Sequence, residues 1–253
     1  MPDVPDMHRS DDARGLRPLA RSVTAVNLPE HARNPIHTDL GARAAGFPRA
    51  LVAGVSTYAY LVHPLIAAGG MDWVSRGGGE VRLRRPVFDG DTVRCIPDAA
   101  DPLLIRAVTD EPDQPRAVFR AVPDAGPPPS SRDGERLPEM SFRLSGEWGS
   151  DYGVRLGDDD ELCVRNGIVH PAVWPALANQ VFHEHVARGS WVHTRSIIRH
   201  HAAARDGGTA VVRSVIVRRF EASGERAVAD IHIKVDSVTV ATLEHEAIVA
   251  LPG

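Results

Sequence analysis

Cysteine and lysine are nearly absent from this sequence. The only cysteines are Cys95 and Cys163. They lie far apart and outside any Cys-x-x-Cys spacing, which excludes a disulfide framework, a zinc ribbon and a thioredoxin-type redox site. The only lysine is Lys234, so the 29 basic residues are otherwise arginine; they face 33 acidic ones for a net charge of -4. No basic excess marks a nucleic-acid binder. The arginine bias, beside many alanines, glycines and prolines, reflects a GC-rich genome rather than a phosphate site. No Gly-rich phosphate loop and no serine nucleophile elbow occur. Met1–Leu16 is polar and acidic without an apolar stretch, so it is expected to be a disordered tail and not a secretory signal. The location expected is the cytoplasm.

One long run carries no charge, Ala50 to Met71. It could span a bilayer by length. It contains Ser56, Thr57, His63, Pro64 and glycines, with no flanking basic cluster or aromatic anchors, so it reads as a helix buried on all sides in a globular protein. At 253 residues, with 43% hydrophobic and 25% charged side chains, the chain can bury a substantial core.

The stretch Pro123–Pro138 is crowded with proline, glycine and serine and reads as a linker between two parts of similar layout. In residues 17–122 a helix near Val55–Ala68 precedes strands near Glu80–Phe88, Thr92–Pro97, Leu103–Thr109 and Ala117–Val122. In residues 139–253 a helix near Ala172–Ala187 precedes strands near Trp191–His200, Thr209–Phe220, Ala227–Val235 and Val238–Val249. A single shift of 117 residues lays Leu51-Val52-Ala53-Gly54 on Ile168-Val169-His170-Pro171, and Asp89-Gly90-Asp91-Thr92 on Asp206-Gly207-Gly208-Thr209. A shared register across two blocks indicates an internal repeat. The fold class expected is α+β: a long buried helix wrapped by an antiparallel sheet, twice.

The chemistry concentrates in Arg33-Asn34-Pro35-Ile36-His37-Thr38-Asp39, followed by Ala44-Ala45-Gly46-Phe47 and by Leu51-Val52-Ala53-Gly54 at the head of the buried helix. Together with Arg85-Pro86-Val87-Phe88-Asp89-Gly90-Asp91-Thr92, these stretches resemble the MaoC-like (R)-specific enoyl-CoA hydratases of the hotdog superfamily. The resemblance covers about Arg17–Val122 and, more loosely, the second half, as a double hotdog. It implies that an Asp and a His hold one water, which adds across an enoyl thioester, while a backbone N–H at the helix start polarises the thioester carbonyl. His37 matches the family histidine and Gly54 the glycine whose N–H faces the carbonyl. The family acid, five positions before the histidine, is replaced here by Ala32, and the histidine of the family's His-Gly pair by Ala53. Glu30, His31 or Asp39 are candidates to supply the missing base.

The site expected is therefore His37 and Asn34 as catalytic residues, with Gly54, Val55, Ser56 and His170 binding substrate. His170 enters because it stands at the position equivalent to Ala53. The same residues allow a plainer reading: Asn34 capping a turn, His37 packed at the helix rim, Asp39 as N-cap of Leu40–Ala45, and His170 half-buried at a helix start. His63, Tyr58 and Tyr60 on an apolar helix read as core groups. His183, His185, His193, His200 and His201 have no accompanying carboxylate or Cys at ligand spacing except Glu184, whose neighbours turn away on a helix, so no metal is expected, and no cofactor beyond the CoA or phosphopantetheine of the substrate itself. The partners implied are an acyl-thioester small molecule or an acyl carrier protein, with no nucleic acid and no membrane; pairing of two such chains stays open. Hydrolysis of the thioester, or binding without chemistry, remain alternatives to hydration.

Overall fold

The computed structural model describes residues 15–251. The first sixteen residues, expected to be a disordered tail, therefore lie almost entirely outside the described residues. One antiparallel sheet runs through the chain, with two central helices packed on it.

In the first half the strands are β1 (Arg21–Thr24), β2 (Gly78–Leu83), β3 (Thr92–Pro97), β4 (Leu104–Val108) and β5 (Ala117–Val122). In the second they are β6 (Glu135–Arg136), β7 (Met140–Arg143), β8 (Val192–His200), β9 (Thr209–Glu221), β10 (Glu225–Val235) and β11 (Val238–Ala250). Their order across the sheet is β1-β3-β4-β5-β2-β8-β11-β10-β9-β6, with β7 also pairing with β9. The halves join where β2 meets β8, Gly79 opposite Ile198 and Val81 opposite Ser196.

The helices are α1 (Asp39–Ala44), α2 (Gly54–Arg76), α3 (Tyr152–Arg155), α4 (Leu162–Asn166) and α5 (Val173–His185). Helix α2 has no amphipathic stripe because Val55 to Ile66 are all buried. That is the cause of the uncharged run, and no helix among the described residues is long and apolar enough to cross a membrane. The helix outruns the expected Val55–Ala68. It continues past Gly70, whose left-handed backbone (φ 55°) bends it, to bury Trp73. Trp73 and Tyr58 both meet Phe119 of β5 edge-on, at 6.4 and 5.4 Å between ring centroids. Helix α5 likewise buries Trp174 and Phe182.

The 117-residue repeat is visible in the backbone. Leu51 bridges Phe88 as Ile168 bridges Arg205, and Val52 N–H donates to Val87 O as Val169 N–H does to Ala204 O, at 2.8 and 2.9 Å. The segment 123–138 is exposed along 126–136, yet it is a strap rather than a free linker. Arg132 donates from its backbone and its guanidinium to Asp230, and Glu135–Arg136 pairs with β9. Breaker-rich sequence excludes a long ladder but not a short one anchored by an ion pair.

Candidate active site

The Asn-Pro-Ile-His stretch forms two 3-10 turns, Pro29–Arg33 and Pro35–His37, ahead of α1. Pro35 opens the second turn, where a missing N–H costs nothing. Asn34 caps it weakly, with Oδ1 accepting from Ile36 N–H at 3.5 Å. Its Nδ2 donates to the carbonyl of Trp191 at 2.8 Å. Both ends of the Asn34 amide are thus engaged by backbone, which ties this turn to the Trp191 carbonyl, and the residue lines the cavity that His37 also faces. Thr38, rather than Asp39, is the N-cap of α1, its Oγ1 accepting from Gly41 N–H at 3.2 Å. Asp39 instead accepts from Ala50 N–H at 2.8 Å.

His37 lies on the wall of a cavity of about 540 Å³ between the two halves. Its Nδ1 bonds the carbonyl of Leu51 at 2.8 Å. A carbonyl only accepts, so Nδ1 carries the proton and Nε2 presents a lone pair. Burial pushes the His37 pKa down to about 4, with the Leu51 carbonyl opposing the shift. Among the described residues no carboxylate pairs with either ring nitrogen of His37.

The three candidates for the missing base are all committed elsewhere. Glu30 is buried in an ion pair with Arg155 at 2.7 Å. Asp39 points to Ala50. His31 Nε2 meets the Tyr152 hydroxyl at 3.1 Å, its ring edge-on to His37 with centroids 6.1 Å apart. Burial, then the neighbouring His37 and Arg155, hold the His31 pKa near 3, so it is neutral.

Gly54 begins α2 at the cavity wall. No side chain caps this end, so its first N–H groups are free to face a ligand. A Cβ there would collide with Leu83 Cδ1 and lie 3.1 Å from His193 Nδ1. Val55 and Ser56, expected beside it in substrate binding, are fully buried and off the cavity wall. Helical rotation turns them into the core and brings Thr57 to the wall in their place.

His170 also lies away from this cavity, on a separate small void walled by Gly153 and Asp158. Its Nε2 is buried 3.6 Å from Asp158 Oδ2, and its Nδ1 accepts from Ala172 N–H at 3.2 Å. Asp158 also bonds His63 Nδ1 at 2.6 Å. Burial alone would raise the Asp158 pKa, but the approach of His170 and the hydrogen bonds from His63 and the Asp160 N–H hold it well below the usual carboxylate range. His63, Asp158 and Asp159 are the one group among the described residues with metal-ligand spacing. Arg21, 3.7 Å from Asp158 and 3.2 Å from Asp159, supplies one positive charge to the pair.

The second half adds to the cavity wall residues that the sequence reading did not assign to it, among them Asn179, Trp191, His193 and, paired with Arg226, the carboxylate of Glu246. Asn179 Oδ1 and His193 Nδ1 are buried without a protein partner. Spacing hides His193, because β8 is bulged. Glu246 pairs with Arg195 and Ala247 with His193, leaving Thr194 as an extra residue. The bulge puts His193 and Ser196, three apart, on the same buried face, which strict alternation forbids. At the rim, Arg82, Arg84 and Arg85 line the cavity with exposed side chains.

Comparison with known proteins agrees with this architecture. No protein-family model matches the chain. Over 98 residues the chain is 31% identical to 3-hydroxyacyl-thioester dehydratase Y of Mycobacterium tuberculosis, a match spanning 38% of this chain and a third (33%) of that protein. In structure it is similar to Rv0216 of the same organism, which has a double hotdog fold, with a TM-score of 0.64 at 15% identity over 92% of this chain and 96% of that one. It is likewise similar to a MaoC domain protein dehydratase from Chloroflexus aurantiacus, with a TM-score of 0.62 at 12% identity over 99% and 100%. The chain has the double hotdog fold, which it shares with Rv0216 and with the MaoC domain protein, and part of its sequence is similar to a 3-hydroxyacyl-thioester dehydratase.

Proposed function

We propose that the protein hydrates an enoyl thioester, or catalyses the reverse dehydration of a 3-hydroxyacyl thioester, in the cavity between its halves. The observation that carries this reading is that His37, with a bare Nε2, and the uncapped start of α2 at Gly54 line the same cavity. In hydration, His37 Nε2 takes a proton from water as the water oxygen bonds Cβ. The electron pair of the double bond moves toward the thioester carbonyl, whose growing negative charge faces the Gly54 N–H. The proton then passes from the imidazolium to Cα, and His37 is restored. Dehydration runs the same steps backward. The named relative acts on 3-hydroxyacyl thioesters, which supports this substrate class. Arg82, Arg84 and Arg85 at the rim suit the phosphates of CoA, or of phosphopantetheine on a carrier protein.

The test is a spectroscopic assay with a short enoyl-CoA. Loss of enoyl-thioester absorbance without thiol release is the expected result. Thiol release from a saturated acyl-CoA, with no hydration, would assign the protein to the thioesterases. Saturable binding with neither reaction would make it a non-catalytic thioester binder.

A further inference from the structure

We propose that His193 is a substrate-contacting residue whose Nδ1 accepts a hydrogen bond from the reacting water or from the 3-hydroxyl of the acyl group. This inference rests on the hydratase reading and adds a residue from the other half of the molecule.

Three observations support it. First, His193 lines the cavity, and its Nδ1 is buried beside Gly54 without a protein partner. A buried acceptor left unpaired is unfavourable unless something else fills it. Second, the ring is held from behind. His193 Nε2 and Ser196 Oγ are 2.8 Å apart, Ser196 Oγ and His245 Nδ1 another 2.8 Å, and the His193 and His245 rings stack at 4.3 Å. His245 in turn packs edge-on against Phe182 of α5, at 4.7 Å. Third, the tautomer follows from position. Nδ1 abuts the start of α2, where free N–H groups carry partial positive charge, so a lone pair is favoured there and an N–H is not. The proton then sits on Nε2 and donates to Ser196, whose hydroxyl donates to His245 Nδ1.

The bulge at Thr194 makes this arrangement possible, since without it His193 would face away from Ser196. The Asn34–Trp191 bond ties the same strand entry to the His37 loop, so the two histidines keep a common frame. Burial pushes the His193 pKa down to about 3, so the ring acts as a neutral acceptor that orients the hydroxyl while His37 moves the proton. No atom or charge is transferred to His193 itself.

Two substitutions separate this role from a structural one. His193→Gln keeps an amide able to reach Ser196 but removes the acceptor at the δ position. His193→Asn keeps an acceptor at that position but gives up Ser196. A substrate contact predicts that kcat/KM for hydration falls about 10²-fold in His193→Gln and stays within about tenfold of wild type in His193→Asn. A purely structural role predicts the opposite order, and that order, or equal loss in both, overturns the proposal.

A second readout needs no turnover: the ratio of affinities for 3-hydroxybutyryl-CoA and butyryl-CoA. It should favour the hydroxylated ligand roughly 2- to 10-fold in the wild type, vanish in His193→Gln and persist in His193→Asn. The ratio is taken within each variant, so partial unfolding does not distort it. If the wild type hydrates nothing yet shows this pattern, the hydratase reading fails and the contact stands. If it hydrates and His193→Gln keeps both rate and preference, the contact fails and the hydratase reading stands.

Discussion

Asn34 Nδ2 donates to the carbonyl of Trp191 at 2.8 Å, across 157 residues of sequence. This one bond ties the loop carrying His37 to the start of the strand carrying His193. Asn34→Ala should therefore leave the Trp191 carbonyl unpaired in a buried place, costing about 1–3 kcal/mol of stability. It should also lower hydration while affecting thioester binding less. Denaturant unfolding and steady-state kinetics measure the two effects; unchanged stability would show the bond to be dispensable.

His37→Ala should reduce turnover roughly 10²–10⁴-fold with a small change in melting temperature, since the ring faces a cavity. The acid limb of the pH–rate profile gives an independent check. Burial holds the His37 pKa near 4, so the base form persists well below neutrality. Activity should fall only as pH drops toward 4, and not near 6.5, the ordinary histidine value. A limb at 6.5 would place the titrating group elsewhere.

Ala32→Asp restores the family acid in sequence only. Ala32 is exposed on the first 3-10 turn and absent from the cavity wall. The expected outcome is no gain in hydration of a short enoyl-CoA. A severalfold gain would show that this loop can turn position 32 inward.

Gly54→Ala tests the start of α2. The added methyl would collide with Leu83 Cδ1 and press on His193 Nδ1, an overpacking of about 1–3 kcal/mol. Hydration should drop at least tenfold, while the far-ultraviolet spectrum stays that of the wild type.

Asp158→Asn removes the charge shared by His63 and His170 and paired with Arg21. Breaking such a mostly buried cluster should cost about 3 kcal/mol at neutral pH. The sign with pH is set by the depressed Asp158 pKa. The stability it contributes is full above the unfolded carboxylate value, about 3.9, and is lost as pH falls toward the folded value. Wild-type and variant stabilities should therefore converge only below about pH 4, which melting curves across pH would reveal. Hydration by the folded variant should be near normal, because the cluster lies off the cavity.

Much of this molecule was determined locally, and local features are what a sequence displays. The uncharged run around Val55–Ile66 was legible as a buried helix because no charged side chain interrupts it. The 117-residue shift marked the repeat because the Leu51–Phe88 and Ile168–Arg205 bridges have the same spacing, each followed by an Asp-Gly turn, Asp89-Gly90 and Asp206-Gly207. Pro35 and Asn34 prescribe a tight turn wherever they occur, so His37 was legible as a presented side chain. Other assignments depended on distant parts of the chain. Asn34 became a tie because Trp191 stands opposite it. Val55 and Ser56 face the core because the rotation of α2 is set by what packs around it. His170 went to Asp158, whose loop comes from the start of the second half. The place of His193 depended on a one-residue bulge fixed by the pairing of β8 with β11, because side-chain direction in a strand follows register, and register is set by the partner strand rather than by the strand's own sequence.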